Sequence, residues 1–144
     1  MFSKACEYGI KATIYIAISS YENKRVSPKE ISEEIDSPQA FTAKILQALV
    51  KNNIINSTKG AHGGFDIEPE RIAKIKLSEI ITAIDGDSIF ESCGLGFEFC
   101  NEEQPCPVHY KFKKVKAELQ NMVENTTLEE LALRIKTGAS FLKV

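Results

Sequence analysis

Two Ser-Pro pairs ten residues apart, Ser27-Pro28 and Ser37-Pro38, constrain the fold more than any other feature of this sequence. Serine before proline is a helix start signal, because the serine side chain caps the helix and proline has no N–H to lose. Glu30 stands where it completes a capping box with Ser27. The sequence therefore predicts a short helix from residue 28 and another that begins at Ser37-Pro38 and runs to about Asn52.

Apolar periodicity predicts the helices on either side of these signals. Residues 3–19 carry apolar side chains at helical spacing without an interrupting proline, which predicts a first helix. The helix after Ser37-Pro38 has an apolar stripe of five residues: Phe41, Ile45, Leu46, Leu49 and Val50. Its other face carries Ala40, Lys44, Gln47 and Lys51 and is expected to face solvent.

A β-hairpin is expected to follow these three helices. Residues 54–58 and 65–68 alternate and include β-branched side chains, and the segment between them, Lys59-Gly60-Ala61-His62-Gly63-Gly64, is rich in glycine. Three helices followed by a hairpin is the element order of a winged helix-turn-helix. In that module the third helix enters the major groove, and the hairpin tip approaches the DNA backbone or minor groove.

The second half of the chain predicts two further helical regions around a loop. Residues 77–84 form a short helix that stops at Asp85-Gly86, and residues 87–107 lack periodicity and are expected to be a loop. A long helix runs from Val108 to about Glu124, and a capping box at Thr127 starts a last helix through Ile135. The apolar stripe of the long helix suits pairing with another helix and comprises Phe112, Val115, Leu119 and Met122.

The predicted fold class is mainly α with a small β-hairpin, a winged helix-turn-helix plus a long dimerisation helix. We divide it into a DNA-binding domain (1–76), a short helix with a cysteine-containing sensor loop (77–107), and a dimerisation helix with a C-terminal helix (108–144). With 144 residues and 43% hydrophobic residues, a core can form without disulfide bonds.

The net charge of −2 hides a contrast between the two halves. Residues 1–76 carry 11 Lys and Arg against 9 Asp and Glu, whereas residues 77–144 carry 7 against 11. Residues 85–103 contain six carboxylates and no Lys or Arg. Any DNA binding is therefore expected to be local to the N-terminal half.

Other function classes find little support. The N-terminal segment carries Lys4, Glu7 and Lys11 within its apolar stretch, which excludes a signal peptide or membrane span there and indicates a cytoplasmic protein. A phosphate-binding Gly-Lys loop and a nucleophile elbow are absent, and the chain has only two histidines. We therefore expect a protein that is not an enzyme.

Three of the four cysteines, Cys93, Cys100 and Cys106, fall within 14 residues, and His109 follows them. Thiolates suit iron–sulfur clusters and zinc, and an imidazole can complete a set of four ligands. Gaps of six and five residues fit a structural zinc site poorly. Spacing alone leaves a cluster, zinc, and metal-free redox or buried thiols open, and His109 could equally be a capping residue. Cys6 stands apart and is expected to be a small buried apolar residue.

The whole arrangement resembles the Rrf2 family of bacterial transcription regulators, which includes regulators of iron–sulfur cluster assembly and nitric-oxide-sensing repressors. The resemblance rests on residues 7–12, residues 49–55, the wing at residues 57–65, residues 77–81 and the three cysteines. It implies a homodimer in which long helices cross and each subunit holds one cluster in the loop before its long helix.

The resemblance also implies the ligands. Cys93, Cys100, Cys106 and His109 match the three cysteines and the histidine that bind a [2Fe-2S] cluster in the cluster-assembly regulator, so [2Fe-2S] is favoured over [4Fe-4S]. In other members a carboxylate from the partner's first helix is the fourth ligand, and Glu7 stands at that position. We favour His109 as the fourth ligand and keep Glu7 as the alternative. The cluster can be absent from protein that is purified in air.

The expected partner is double-stranded DNA with a pseudo-palindromic operator. Lys59 matches a wing residue that is commonly Arg in the family, and Ala40 and Ala43 stand where relatives often place polar base-reading groups. The full set of candidate DNA contacts is Lys4, Gln39, Ala40, Ala43, Lys44, Gln47, Lys51, Ser57, Lys59 and His62, with Lys11 a further phosphate candidate.

The sequence thus supports a dimeric regulator that senses iron–sulfur status, redox or nitric oxide through the cysteine triplet. The first alternative is a cluster-free regulator of the same type that responds to a metabolite, a partner protein or thiol oxidation. The second is a small redox or metal-trafficking protein whose winged domain binds only protein.

Overall fold

The computed structural model of the protein describes residues 1–143, and its N-terminal half is a winged helix-turn-helix. Three helices come first: α1 (Lys4–Tyr21), α2 (Pro28–Glu34) and α3 (Gln39–Lys51). Two antiparallel strands follow, β1 (Asn56–Thr58) and β2 (Gly64–Asp66), with Ser57 opposite Phe65. The predicted fold class, mainly α with a small hairpin, is confirmed.

Local hydrogen bonds explain where two of these helices start. Ser27 caps α2 through a complete capping box, in which Glu30 accepts the Ser27 N–H at 2.7 Å. The expectation that Ser37 caps α3 is wrong, because Pro38 occupies the capping position and the Ser37 hydroxyl instead pairs with the Thr42 hydroxyl. The Thr42 N–H donates to the Pro38 carbonyl at 2.9 Å, so α3 starts from the proline.

Val26, which lies between α1 and α2, pairs with the hairpin at Phe65. The Val26 N–H donates to the Phe65 carbonyl at 3.1 Å, and the Phe65 N–H donates back to Val26 at 2.9 Å. Gly64 makes this approach possible, since its φ is +133° and a Cβ there would lie 2.8 Å from the Val26 carbonyl oxygen. The wing is therefore joined to the chain between α1 and α2 by backbone bonds.

The second half contains five further helices within residues 1–143, namely α4 (Pro69–Ile72), α5 (Leu77–Asp85), α6 (Ser88–Glu91), α7 (His109–Asn125) and α8 (Leu128–Lys136). The predicted loop over residues 87–107 is corrected at its start, because the single turn α6 lies there and packs Ile89 and Phe90 against α5 and α7. A four-residue turn is too short for periodicity to reveal. Gly86, with φ +68°, ends α5 where the sequence predicts.

The buried residues form two adjoining clusters. The larger one joins α1, α2 and α3 with the hairpin base and α8, and its fully buried side chains include Ile16, Leu49 and Leu128. The smaller one contains Cys6, Leu77, Ile81 and Val123 and joins α1, α5 and α7. No helix within residues 1–143 combines the length and apolarity that crossing a membrane requires.

We expect Gly64→Ala to lower the free energy of unfolding by about 2–3 kcal/mol, since the methyl group adds a backbone clash to the cost of a positive φ. Gly60→Ala is the matched control, because Gly60 also has a positive φ, +105°, but nothing lies within 4 Å of its added Cβ. That variant should lose only about 1 kcal/mol. Urea denaturation measures both values, and equal losses would contradict the role assigned to the Val26 contact.

Candidate DNA interface and cysteine loop

The predicted recognition helix α3 presents its candidate contacts to solvent. The helix packs against α1, α2 and α5 through Ile45, Leu46 and Leu49, which are buried. The opposite face exposes five predicted contacts, Gln39, Ala40, Lys44, Gln47 and Lys51, whereas Ala43 is half-buried. An exposed face with two lysines can lie along a phosphate backbone while its glutamines reach base edges.

Two lysines of α1 lie beside the same helix. The Tyr8 ring packs edge-on against Phe41 of α3 at a centroid distance of 5.9 Å. The ammonium groups of Lys4 and Lys11 lie 5.3 and 6.0 Å from the centre of the Tyr8 ring. Lys11 therefore extends the positive surface of α3 onto α1, whereas the charge of Lys4 is paired with the Glu7 carboxylate.

The wing exposes Ser57, Lys59 and His62. The Gly63 N–H donates to the Gly60 carbonyl at 3.0 Å and closes the tip. Arg25, which is not among the predicted contacts, reaches this tip from the α1–α2 connection. The adjacent basic pair Lys24-Arg25 before Ser27-Pro28 was the signal that could have found it.

His109 lies at the first residue of α7 and is buried, with 3% of its surface exposed. Its Nδ1 lies 3.3 Å from Cys100 Sγ. Its Nε2 is buried and has no hydrogen-bond partner within residues 1–143. A buried polar atom without a partner is rare in native proteins, and a ring nitrogen of this kind can ligate a metal.

Cys93 and Cys106 form a second pair. They line a cleft of about 440 Å³ together with Phe97 and Phe99. The Leu95 and Phe97 backbone N–H groups, and more weakly the Cys106 thiol, lower the pKa of the Cys93 thiol. Backbone donors that favour the thiolate also favour metal binding by that sulfur.

The four predicted donors thus lie as two pairs, Cys93 with Cys106 and Cys100 with His109. Within residues 1–143, no three His, Cys, Asp or Glu side chains converge closely enough to hold a metal ion. Three thiols and an imidazole whose Nε2 is unpartnered still suit an iron–sulfur cluster by their chemistry. Glu7 joins neither pair and instead accepts from Lys4 at 3.0 Å, which raises the pKa of Lys4.

Cys6 is fully buried beside the carboxylate of Asp85. Burial, reinforced by Asp85, raises the pKa of the Cys6 thiol to about 12. Asp85 also accepts the Ser3 N–H at 3.1 Å and the Ser3 hydroxyl, which ties the start of α1 to the end of α5. Cys6 is therefore buried, as the sequence predicts, but its thiol lies beside a carboxylate as well as apolar side chains.

Hydrogen bonds and packing connect the DNA-facing half to the cysteine loop. Asn52, which caps the C-terminus of α3, donates to the Ala83 carbonyl of α5 at 3.4 Å. Helix α5 packs in turn against α7, which starts at the end of the cysteine loop. Along α7, Phe112, Val115 and Met122 are exposed, and Leu119 is partly covered by the smaller core cluster.

We expect iodoacetamide to alkylate Cys93, Cys100 and Cys106 of metal-free, reduced protein well before Cys6. The Cys6 thiol is inaccessible and its raised pKa leaves little thiolate at neutral pH. Mass spectrometry of the peptides measures the order, and unfolding in urea should make Cys6 react with the others. Equal rates in the folded protein would contradict the buried position of Cys6.

Comparison with known proteins places this geometry in a family. The family model Rrf2, described as an iron-dependent transcriptional regulator, matches residues 2–134. A protein of Aquifex aeolicus assigned as an HTH-type transcriptional regulator is 31% identical over 135 residues, which cover 91% of this chain and 90% of that protein.

Solved structures show the same fold. The structure of CymR, the global cysteine regulator of B. subtilis, has a TM-score of 0.73 at 19% identity, covering 92% of this chain and 96% of CymR. The structure of IscR of T. potens has a TM-score of 0.72 at 22% identity, covering 97% and 91%. With the matched residues spanning nearly the whole chain, this protein belongs to the Rrf2 family of transcriptional regulators, which are not enzymes.

Proposed function

We propose that the protein is a dimeric, DNA-binding Rrf2-type regulator that senses iron–sulfur status, redox or nitric oxide through Cys93, Cys100, Cys106 and His109. The observation that carries the sensing proposal is the buried His109, with one ring nitrogen beside a thiol and the other unpartnered. The description of the family as iron-dependent supports it. A [2Fe-2S] cluster bound there would supply iron that changes oxidation state or binds nitric oxide.

Bound metal would order the acidic segment that carries the cysteines. Glu98, Glu102 and Glu103 lie in this segment, and Glu102 pairs with Lys113 of α7. Iron held by the three cysteines and His109 would join this segment to the start of α7. His109 is the favoured fourth ligand, and Glu7 of a second subunit is the alternative.

The DNA-binding proposal rests on the exposed surface of α3, the wing and the α1 lysines. Two such surfaces, one from each subunit, would contact successive major grooves of a pseudo-palindromic operator. We propose that the α7 stripe of Phe112, Val115, Leu119 and Met122 pairs the subunits, because an exposed apolar stripe on a long helix is stabilised by a partner helix. We also propose that the chain divides by role into a DNA-binding domain (1–76), a sensor region (77–107) and a dimerisation region (108–144).

The chain's own residues provide the route from sensor to DNA. A change in the loop would act on His109 at the start of α7, and α7 packs on α5 through Val123 and Ile81. Helix α5 reaches α3 through the Asn52 to Ala83 hydrogen bond. Small shifts along this path would change the spacing of two recognition helices in a dimer.

We expect anaerobically purified protein to absorb visible light and to contain iron and sulfide. Cys93→Ala, Cys100→Ala and Cys106→Ala should each abolish the absorbance, whereas Cys6→Ala is the matched control that retains it. His109→Ala and Glu7→Gln identify the fourth ligand, since only the ligand's variant should shift or lose the spectrum. A colourless wild-type protein without iron or sulfide would eliminate the cluster.

Replacing Lys44, Lys51 or Lys59 with Ala should weaken DNA binding, each reducing the slope of log K against log salt by about 1. Lys114→Ala is the control, because Lys114 is exposed on α7, which carries none of the proposed DNA contacts. Fluorescence anisotropy over a salt series, with a duplex enriched from a random library, measures the slopes. Unchanged slopes in all three variants would contradict the assigned surface.

A cluster-free regulator that responds to thiol oxidation, a metabolite or a partner protein is the second candidate. The arrangement of the donors as two separate pairs, with Cys93 favoured as thiolate, supports thiol chemistry. Colourless protein whose DNA affinity changes on treatment with hydrogen peroxide would favour this candidate over the cluster.

A further inference from the structure

Arg25 occupies the connection between α1 and α2, immediately before the residue that pairs with the hairpin. The two backbone bonds between Val26 and Phe65 hold this connection alongside β2. Arg25 is thereby held next to the wing by main-chain geometry, independently of its own side chain.

The Arg25 side chain spans the wing from base to tip. Its Nε lies 3.3 Å from the Asp66 carboxylate, at the end of β2. Its Nη1 donates to the His62 carbonyl at 3.5 Å, in the tip. Arginine suits this position because its planar fork can donate to two acceptors in fixed directions, which the single ammonium of lysine cannot do.

The tip needs such a contact because little else holds it. Residues 59–62 are exposed, and Gly60 and Gly64 both adopt positive φ values. Glycine-rich chain of this kind has many alternative conformations when unbound. Ordering the tip on DNA would cost conformational entropy that a pre-formed tether avoids.

We infer that Arg25 is a positioning residue for DNA binding, which tethers the wing tip to Asp66 and so presents Lys59 to the DNA. The inference rests on the proposed DNA-binding function and adds a residue to it. Arg25 acts through the wing, so losing it leaves the number of neutralised phosphates unchanged. It therefore differs from Lys59, which is a proposed phosphate contact.

The inference is tested on the full chain by measuring DNA affinity through fluorescence anisotropy, with the duplex that the wild-type protein enriches from a random library. Arg25→Gln should weaken binding about fivefold without changing the salt slope. The factor corresponds to the conformational entropy lost when the backbone of one residue is ordered. Arg25→Lys should also weaken binding, although it keeps the charge. Because exposed ion pairs contribute little to global stability, the urea midpoint of both variants should match that of wild type.

A double-mutant cycle with Asp66→Asn isolates the tether. Arg25→Gln should cost affinity in the wild-type background and little in the Asp66→Asn background, since the tether is already broken there. Independent effects of the two substitutions would overturn the inference. A direct phosphate contact by Arg25 would give a different result: Arg25→Lys would bind as wild type does, and Arg25→Gln would reduce the salt slope by about 1. That result would also overturn the inference.

Lys59→Ala separates failure of this inference from failure of the proposed function. If Lys59→Ala lowers affinity and salt slope while Arg25→Gln binds as wild type does, the wing binds DNA and the Arg25 tether is wrong. If the wild-type chain enriches no duplex from the library, the DNA-binding function itself fails, and the Arg25 inference fails with it.

Discussion

The structure depends on the burial of two adjacent isoleucines of α5, whose side chains point about 100° apart around the helix axis and so enter two different core clusters. Ile80 and Ile81 are both fully buried, but Ile80 belongs to the larger core under the winged domain and Ile81 to the smaller core beneath α7. Each burial contributes about 1.5–3 kcal/mol relative to an exposed side chain. One short helix thus joins the DNA-facing half to the half that carries the cysteines, and neither can move without disturbing its packing.

This arrangement gives a physical meaning to the uneven charge. Basic residues gather on α3, the wing and the start of α1, where they can face phosphate, and carboxylates gather in the segment that carries the cysteines. In the proposed function, the basic region would bind the negatively charged DNA, and the acidic region would bind a positively charged metal centre. In the same proposal, the apolar packing of α5 would carry a change in one region to the other.

Local sequence signals predicted most elements correctly. The Ser27 capping box, the Gly86 stop and the apolar periodicities located α1, α2, α5 and α7, because these signals act within one or two turns of chain. The wrong Ser37 cap and the overlooked α6 have a common cause. A hydroxyl chooses between competing partners in three dimensions, and a single turn is stabilised by what it packs against.

The sequence by itself predicted the winged helix-turn-helix through capping and periodicity, and the family through the resemblance of its motifs. It also offered three cysteines and His109 as candidate donors, since all of these signals are local or compositional. Only the tertiary structure decided how distant residues meet. It pairs Cys100 with His109 and Cys93 with Cys106, places Asp85 against Ser3 and Cys6, and brings Arg25 across the wing to Asp66. Such contacts depend on how helices pack and where chain segments cross, which residue spacing along the sequence does not encode.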